Sequence, residues 1–197
     1  KWEVVAPMTA ARNVVAAAVL GGRIIVVGGW NGNDSLRSCE SFDPVADKWE
    51  ALPDMSTARS RPAATVLGGR LWVTGGSGAG MTEVDVFDSA TNAWDSKAPM
   101  TTARFYHALA VLFGELHAIG GDYGVTSVEK YGAQADRWTP VPAMALPEGR
   151  TYTAWAVLDC PWRKRPKKAL KHKKRRRPLP TVAEIATAAA AAAAAAK

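Results

Sequence analysis

Three histidines, His107, His117 and His172, and two cysteines, Cys39 and Cys160, are the residues best suited to hold a metal or act as nucleophiles. A zinc or copper site needs several such donors converging, which in sequence usually shows as pairs a few residues apart. No two of the five are so placed. His117 stands at an apolar position inside a short run and reads as a core residue. His107 opens another such run, and His172 lies in a basic stretch. No Gly-x-Ser-x-Gly elbow, phosphate loop or dinucleotide fingerprint is present. The glycine pairs Gly28-Gly29, Gly75-Gly76 and Gly120-Gly121 recur in fixed phase, which marks a repeat and not a phosphate cradle. Neither catalysis nor a cofactor or metal is expected.

The repeat is what the residues do show. Trp2, Trp49, Trp94 and Trp138 follow one another at spacings of 47, 45 and 44. Ten residues after each of the first three stands an arginine (Arg12, Arg59, Arg104), and sixteen after each arginine a glycine pair begins. Each unit divides into four strand candidates. The first is small and apolar (residues 14–20, 62–67 and 107–112), and a glycine turn links it to a second (24–27, 71–74 and 116–119) that runs into the glycine pair. The third ends on Phe42, Phe87 or Tyr131, and after a turn such as Asp43-Pro44-Val45-Ala46-Asp47 the fourth opens on tryptophan.

Four antiparallel strands in about 45 residues is one blade of a β-propeller. There the tryptophans fill the wedge between blades, with the indole N–H on a polar partner. The glycines allow close backbone approach, and each arginine serves as a hydrogen-bond hub with five fixed donors. The expected fold is all-β: three complete blades plus flanking strands, with Trp2 closing a preceding blade and residues 152–158 opening a following one. At Asp159-Cys160-Pro161 the pattern stops. Three blades are fewer than the roughly four to eight that close a ring. The expectation is therefore a piece of a larger propeller or a truncated product, with an incomplete propeller over residues 1–160.

These marks, with Ala6-Pro7-Met8 and Ala98-Pro99-Met100, resemble the kelch repeat over residues 2 to about 158. The nearest resemblance is to kelch-like proteins, which carry BTB and BACK domains upstream. It implies a protein-interaction module similar to the substrate receptor of a cullin-RING ubiquitin ligase; some relatives bind actin. It also implies a ligand face built from the loops that lead into the first strand and out of the second. On this sequence the leading-in residues are Asn13, Val14, Ser60, Arg61, Phe105, Tyr106, Thr151 and Tyr152. The leading-out residues are Trp30, Asn31, Ser35, Ser77, Asp122 and Tyr123.

Charge divides the chain. Residues 1–160 carry 13 Lys and Arg against 17 Asp and Glu, a net of −4, and residues 161–197 carry 12 against 1, a net of +11. The basic linker 161–180 holds two clusters (Lys164, Arg165, Lys167, Lys168; Lys173, Lys174, Arg175, Arg176, Arg177) that resemble a nuclear localisation signal. They fit equally a sequence-independent polyanion arm touching nucleic acid weakly, and the abrupt onset also fits translation past a gene boundary. In residues 181–197, Thr181-Val182-Ala183-Glu184 reads as a capping box ahead of an alanine run that favours helix. No apolar run reaches the roughly 18 residues of a membrane helix. Two lone cysteines suit a reducing compartment, so the cytoplasm is expected, with nuclear import through the tail.

Overall fold

The computed structural model describes residues 1–78, 81–122 and 124–149, all within the compact unit Lys1–Ala154. Residues 152–158, the linker and the alanine run lie outside the described residues. Blade 1 is the antiparallel sheet β1 (Ala16–Leu20), β2 (Arg23–Val27), β3 (Cys39–Asp43) and β4 (Lys48–Leu52), in that order. The next stretch gives β5 (Arg59–Ser60), β6 (Ala63–Leu67), β7 (Arg70–Thr74), β8 (Ser77–Gly78), β9 (Val84–Asp88) and β10 (Ala93–Lys97). Blade 2 is β6-β7-β9-β10, while β5 pairs with β8 as a separate short ladder. Blade 3 is β11 (Ala108–Leu112), β12 (Glu115–Ile119), β13 (Val128–Gly132) and β14 (Arg137–Pro140). The fold is thus all-β, three four-stranded blades of a β-propeller, with β1, β6 and β11 side by side.

The strand limits shift slightly from expectation, for local reasons. The first strands start at Ala16, Ala63 and Ala108: Val14 has a left-handed φ of 46°, and Pro62 has no N–H to donate. The third strands run one residue past the aromatic because Asp43, Asp88 and Gly132 pair in register with Lys48, Ala93 and Arg137.

Two apolar layers lie between blades. Ile25, Val27 and Cys39 of blade 1 meet Leu71, Val73 and Phe87 of blade 2 with Met55 between them, and Trp94 packs against this layer. Trp72, Val84 and Val86 meet Leu109, Leu116, Ala118, Tyr131 and Trp138 with Met100 between them. Each sheet is therefore apolar on the faces its neighbours cover, and removing this surface from water is the main force joining the blades. The indole N–H groups find their partners: Trp49, Trp94 and Trp138 donate to the carbonyls of Ala6, Pro53 and Ala98, each on the segment leading into its own blade.

Trp2 departs from the pattern. Residues 1–8 form no strand and the Trp2 side chain is 99% exposed. The leading segment is instead tied to blade 1 through Ala6, whose N–H donates to Asp47.

Candidate partner-binding face

At the glycine-pair end of each blade a buried guanidinium gathers the chain. Arg12 donates to the Gly28 and Ser38 carbonyls and to Glu40 at 2.6 Å. Arg59 donates to the Gly75 and Glu83 carbonyls and to Asp85 at 2.7 Å. Arg104 donates to the Gly120 and Ser127 carbonyls and to Glu129 at 3.1 Å. The hub role expected of these arginines holds; the buried acids were not anticipated. They also accept from the hydroxyls of Thr9, Ser56 and Thr101, each three residues before its arginine. Burial raises the Glu40 carboxyl, but Thr9 and Arg12 together outweigh this and leave it lowered.

The glycine pairs carry the strands past the next blade. Gly28 and Gly75 have φ of 61° and 58°, and a Cβ at Gly28 would stand 2.5 Å from the Arg59 carbonyl oxygen. Such a contact with backbone admits only glycine. The second glycines then bond across blades, Gly29 N–H to the Arg59 carbonyl and Gly76 N–H to the Arg104 carbonyl.

Two residues beyond each hub, Val14, Arg61 and Tyr106 occupy equivalent left-handed positions, with φ of 46°, 58° and 51°. Left-handed backbone is costly for a side chain of any size, most of all valine. Here it is held from both sides: the Arg61 N–H donates to the Val14 carbonyl, and the Tyr106 N–H to the Arg61 carbonyl. The three residues thus form a line across the blades with the same backbone and three different side chains.

Around this line lie most of the residues expected at a ligand face. The Arg61 guanidinium donates to Ser77 Oγ at 2.9 Å and lies 5.1 Å from the Tyr106 ring centroid. Ser77 in turn meets Ser60. Asn13 exchanges backbone hydrogen bonds with Trp30, which is bridged to Ser35; Asn13 and Trp30 are exposed. The Asn31 amide oxygen accepts from the Asn33 and Asp34 N–H groups and shapes the loop between β2 and β3. The Asp122 N–H donates to the Phe105 carbonyl. Ser60 and Phe105 are buried, so they support the face from beneath. Tyr123, Thr151 and Tyr152 lie outside the described residues.

Two reactive groups are spoken for by burial. It pushes the Cys39 thiol up to about 12, so Cys39 stays protonated at neutral pH. Burial, with a smaller contribution from Arg104, pushes the His107 imidazole down to about 3. Its Nε2 lies 2.8 Å from Thr74 Oγ1, and its buried Nδ1 has no partner among the described residues. No cluster of three His, Cys, Asp or Glu placed to hold a metal occurs among the described residues.

The blade architecture and its glycine-pair face define a propeller of the interaction-module class. The kelch motif model matches residues 12–56 and 58–101, so blades 1 and 2 are kelch repeats. Blade 3 shows the same hub, glycine pair and tryptophan. No curated protein matches the chain.

Proposed function

We propose that the face carrying Val14, Arg61 and Tyr106 holds a protein or peptide partner, as the receptor propeller of a ubiquitin ligase adaptor holds its substrate. The observation that supports this most is the line itself. One backbone geometry recurs at three positions while the side chain changes from apolar to cationic to aromatic. Arg and Tyr are among the types that dominate binding energy at interfaces. The Arg61 guanidinium, oriented by Ser77 and Tyr106, is suited to an acceptor on the partner, and the exposed Trp30 at the same end of the blades offers apolar contact.

Affinity capture from cell extract, followed by titration of the captured partner, tests this. Arg61→Ala and Tyr106→Ala should each weaken binding by about 1–3 kcal/mol, and Arg23→Ala at the other end of the strands should leave it unchanged. Equal binding by all four proteins would move the site off this face. The adaptor role further requires upstream BTB and BACK domains, and co-capture of a cullin by the full gene product tests it separately.

The basic run 163–177, eleven Lys and Arg in fifteen residues, supports a second reading: nuclear import or polyanion contact. With about six phosphate contacts, log K should fall with log salt at a slope near −5. Deleting residues 161–197 should abolish that binding and leave partner capture intact. A slope that survives the deletion would place the contact on the blades.

A further inference from the structure

Blades 1 and 2 end alike at the strand ends away from the glycine pairs, and blade 3 does not. Their third strands finish on Asp43 and Asp88, which accept from Arg23 at 2.8 Å and Arg70 at 2.9 Å. The same aspartates accept N–H groups of the following turn. In blade 3 the equivalent position is Gly132, and Glu115 stands in place of the arginine, paired with Lys130. Beside this position a cavity of about 560 Å³ opens between blades 2 and 3. Its apolar walls include Leu67, Trp72, Tyr131 and Ala133, and Arg137 lines it as well. Among the described residues no ion pair involves Arg137. The adjoining turn carries Phe113, fully exposed at a φ of 54°, where blades 1 and 2 have Gly21 and Gly68. A bulky apolar residue in left-handed backbone is a strain that structures keep chiefly at working sites.

We propose that this cavity binds a small carboxylate with an aromatic or branched apolar body. The body would lie against Trp72, Tyr131 and Leu67, and the carboxylate would pair with Arg137. The volume falls in the range of small-molecule sites, which are mostly apolar with a few polar groups fixing orientation. Glu115 also lines the cavity, but Lys130 pairs with both of its carboxylate oxygens at 3.1 Å, which leaves Arg137 as the charge on the wall that has no ion-pair partner among the described residues.

The test is equilibrium binding of 4-phenylbutyrate and its neutral analogue 4-phenylbutanol to the full chain, read by ligand-observed NMR and dialysis. The acid should bind saturably at one site, about tenfold tighter than the alcohol, the usual effect of a charge-assisted pair. Arg137→Gln should lower the acid to the alcohol's affinity. Gly132→Asp, which restores the aspartate of the other blades, should abolish binding of both. A Cβ at Gly132 meets only the Arg137 carbonyl oxygen at 3.6 Å, an ordinary contact, so the unfolding midpoint should hold. Absence of saturable binding, equal affinity for acid and alcohol, or binding that either variant leaves unchanged overturns the proposal.

Discussion

The buried hubs Arg12, Arg59 and Arg104 and the line Val14, Arg61 and Tyr106 lie two residues apart in sequence, yet they obey opposite rules. At the hub position the side chain never changes and every blade uses it in the same way: two backbone carbonyls and one buried acid. At the line position the backbone never changes and the side chain always does. The hub encloses its charge, with Arg59 and Asp85 at most 1% exposed, whereas Arg61 is only half-buried. A repeat can thus hold its frame constant and vary what it presents without either choice disturbing the other.

The sharpest way to break this contrast is to remove a hub. Arg59→Ala leaves Asp85 buried without its cation and should cost about 3–5 kcal/mol in urea unfolding. Replacing both members, Arg59→Met with Asp85→Leu, should recover most of that loss. A single substitution costing under about 1 kcal/mol would reduce the hub to an ordinary surface pair.

Glycine gives the next effect. Gly75→Ala forces left-handed backbone on a residue whose Cβ would collide with the Arg104 carbonyl oxygen, whereas nothing lies within 4 Å of a Cβ at Gly68. The turn substitution Gly68→Ala should cost about 1–2 kcal/mol from backbone alone, and Gly75→Ala distinctly more. Equal losses in thermal unfolding would show that the close approach beside the hub has no energetic weight.

His107 sits beneath the face, and its depressed pKa fixes a sign. The unfolded chain takes up a proton near pH 6.5 while the folded imidazole resists until about 3. Its share of stability is complete above pH 6.5 and is lost as pH falls below it, at about 1.4 kcal/mol per pH unit. His107→Gln, which keeps a donor for Thr74, should flatten that slope between pH 6 and 5. Carboxylates such as Glu40 act at lower pH, so an unaltered slope would assign it to other groups.

The smallest expected effect completes the contrast. Arg61→Ala should change unfolding free energy by about 1 kcal/mol or less, since a partly exposed cation–π contact adds about 0.5–1. A loss as large as that at Arg59 would make Arg61 part of the frame.

Sequence spacing revealed the blades because tryptophan, arginine and paired glycines each have one task that no other residue type performs. The partners of the hubs were hidden for a physical reason. Glu40, Asp85 and Glu129 fall 28, 26 and 25 residues after their arginines, because the loop before the third strand differs in length, and either acid serves. The hydroxyls Thr9, Ser56 and Thr101 keep constant phase and were the readable clue to a buried acceptor. Trp2 shares the phase of Trp49 but forms no strand here and is exposed, so phase alone does not give a strand. The face was expected from family resemblance alone; the left-handed line at that end of the blades has no signature in residue type.

The tryptophan bonds also set an order of events during synthesis. Trp49, Trp94 and Trp138 each reach back 43, 41 and 40 residues to Ala6, Pro53 and Ala98, chain that has already left the ribosome. A blade can therefore latch as soon as its own tryptophan emerges, about 2–9 s after the previous one at ordinary translation rates. The Gly29 and Gly76 bonds run the other way and wait for the arginine of the blade still being made. Each blade closes first on its own past and is then joined to its successor.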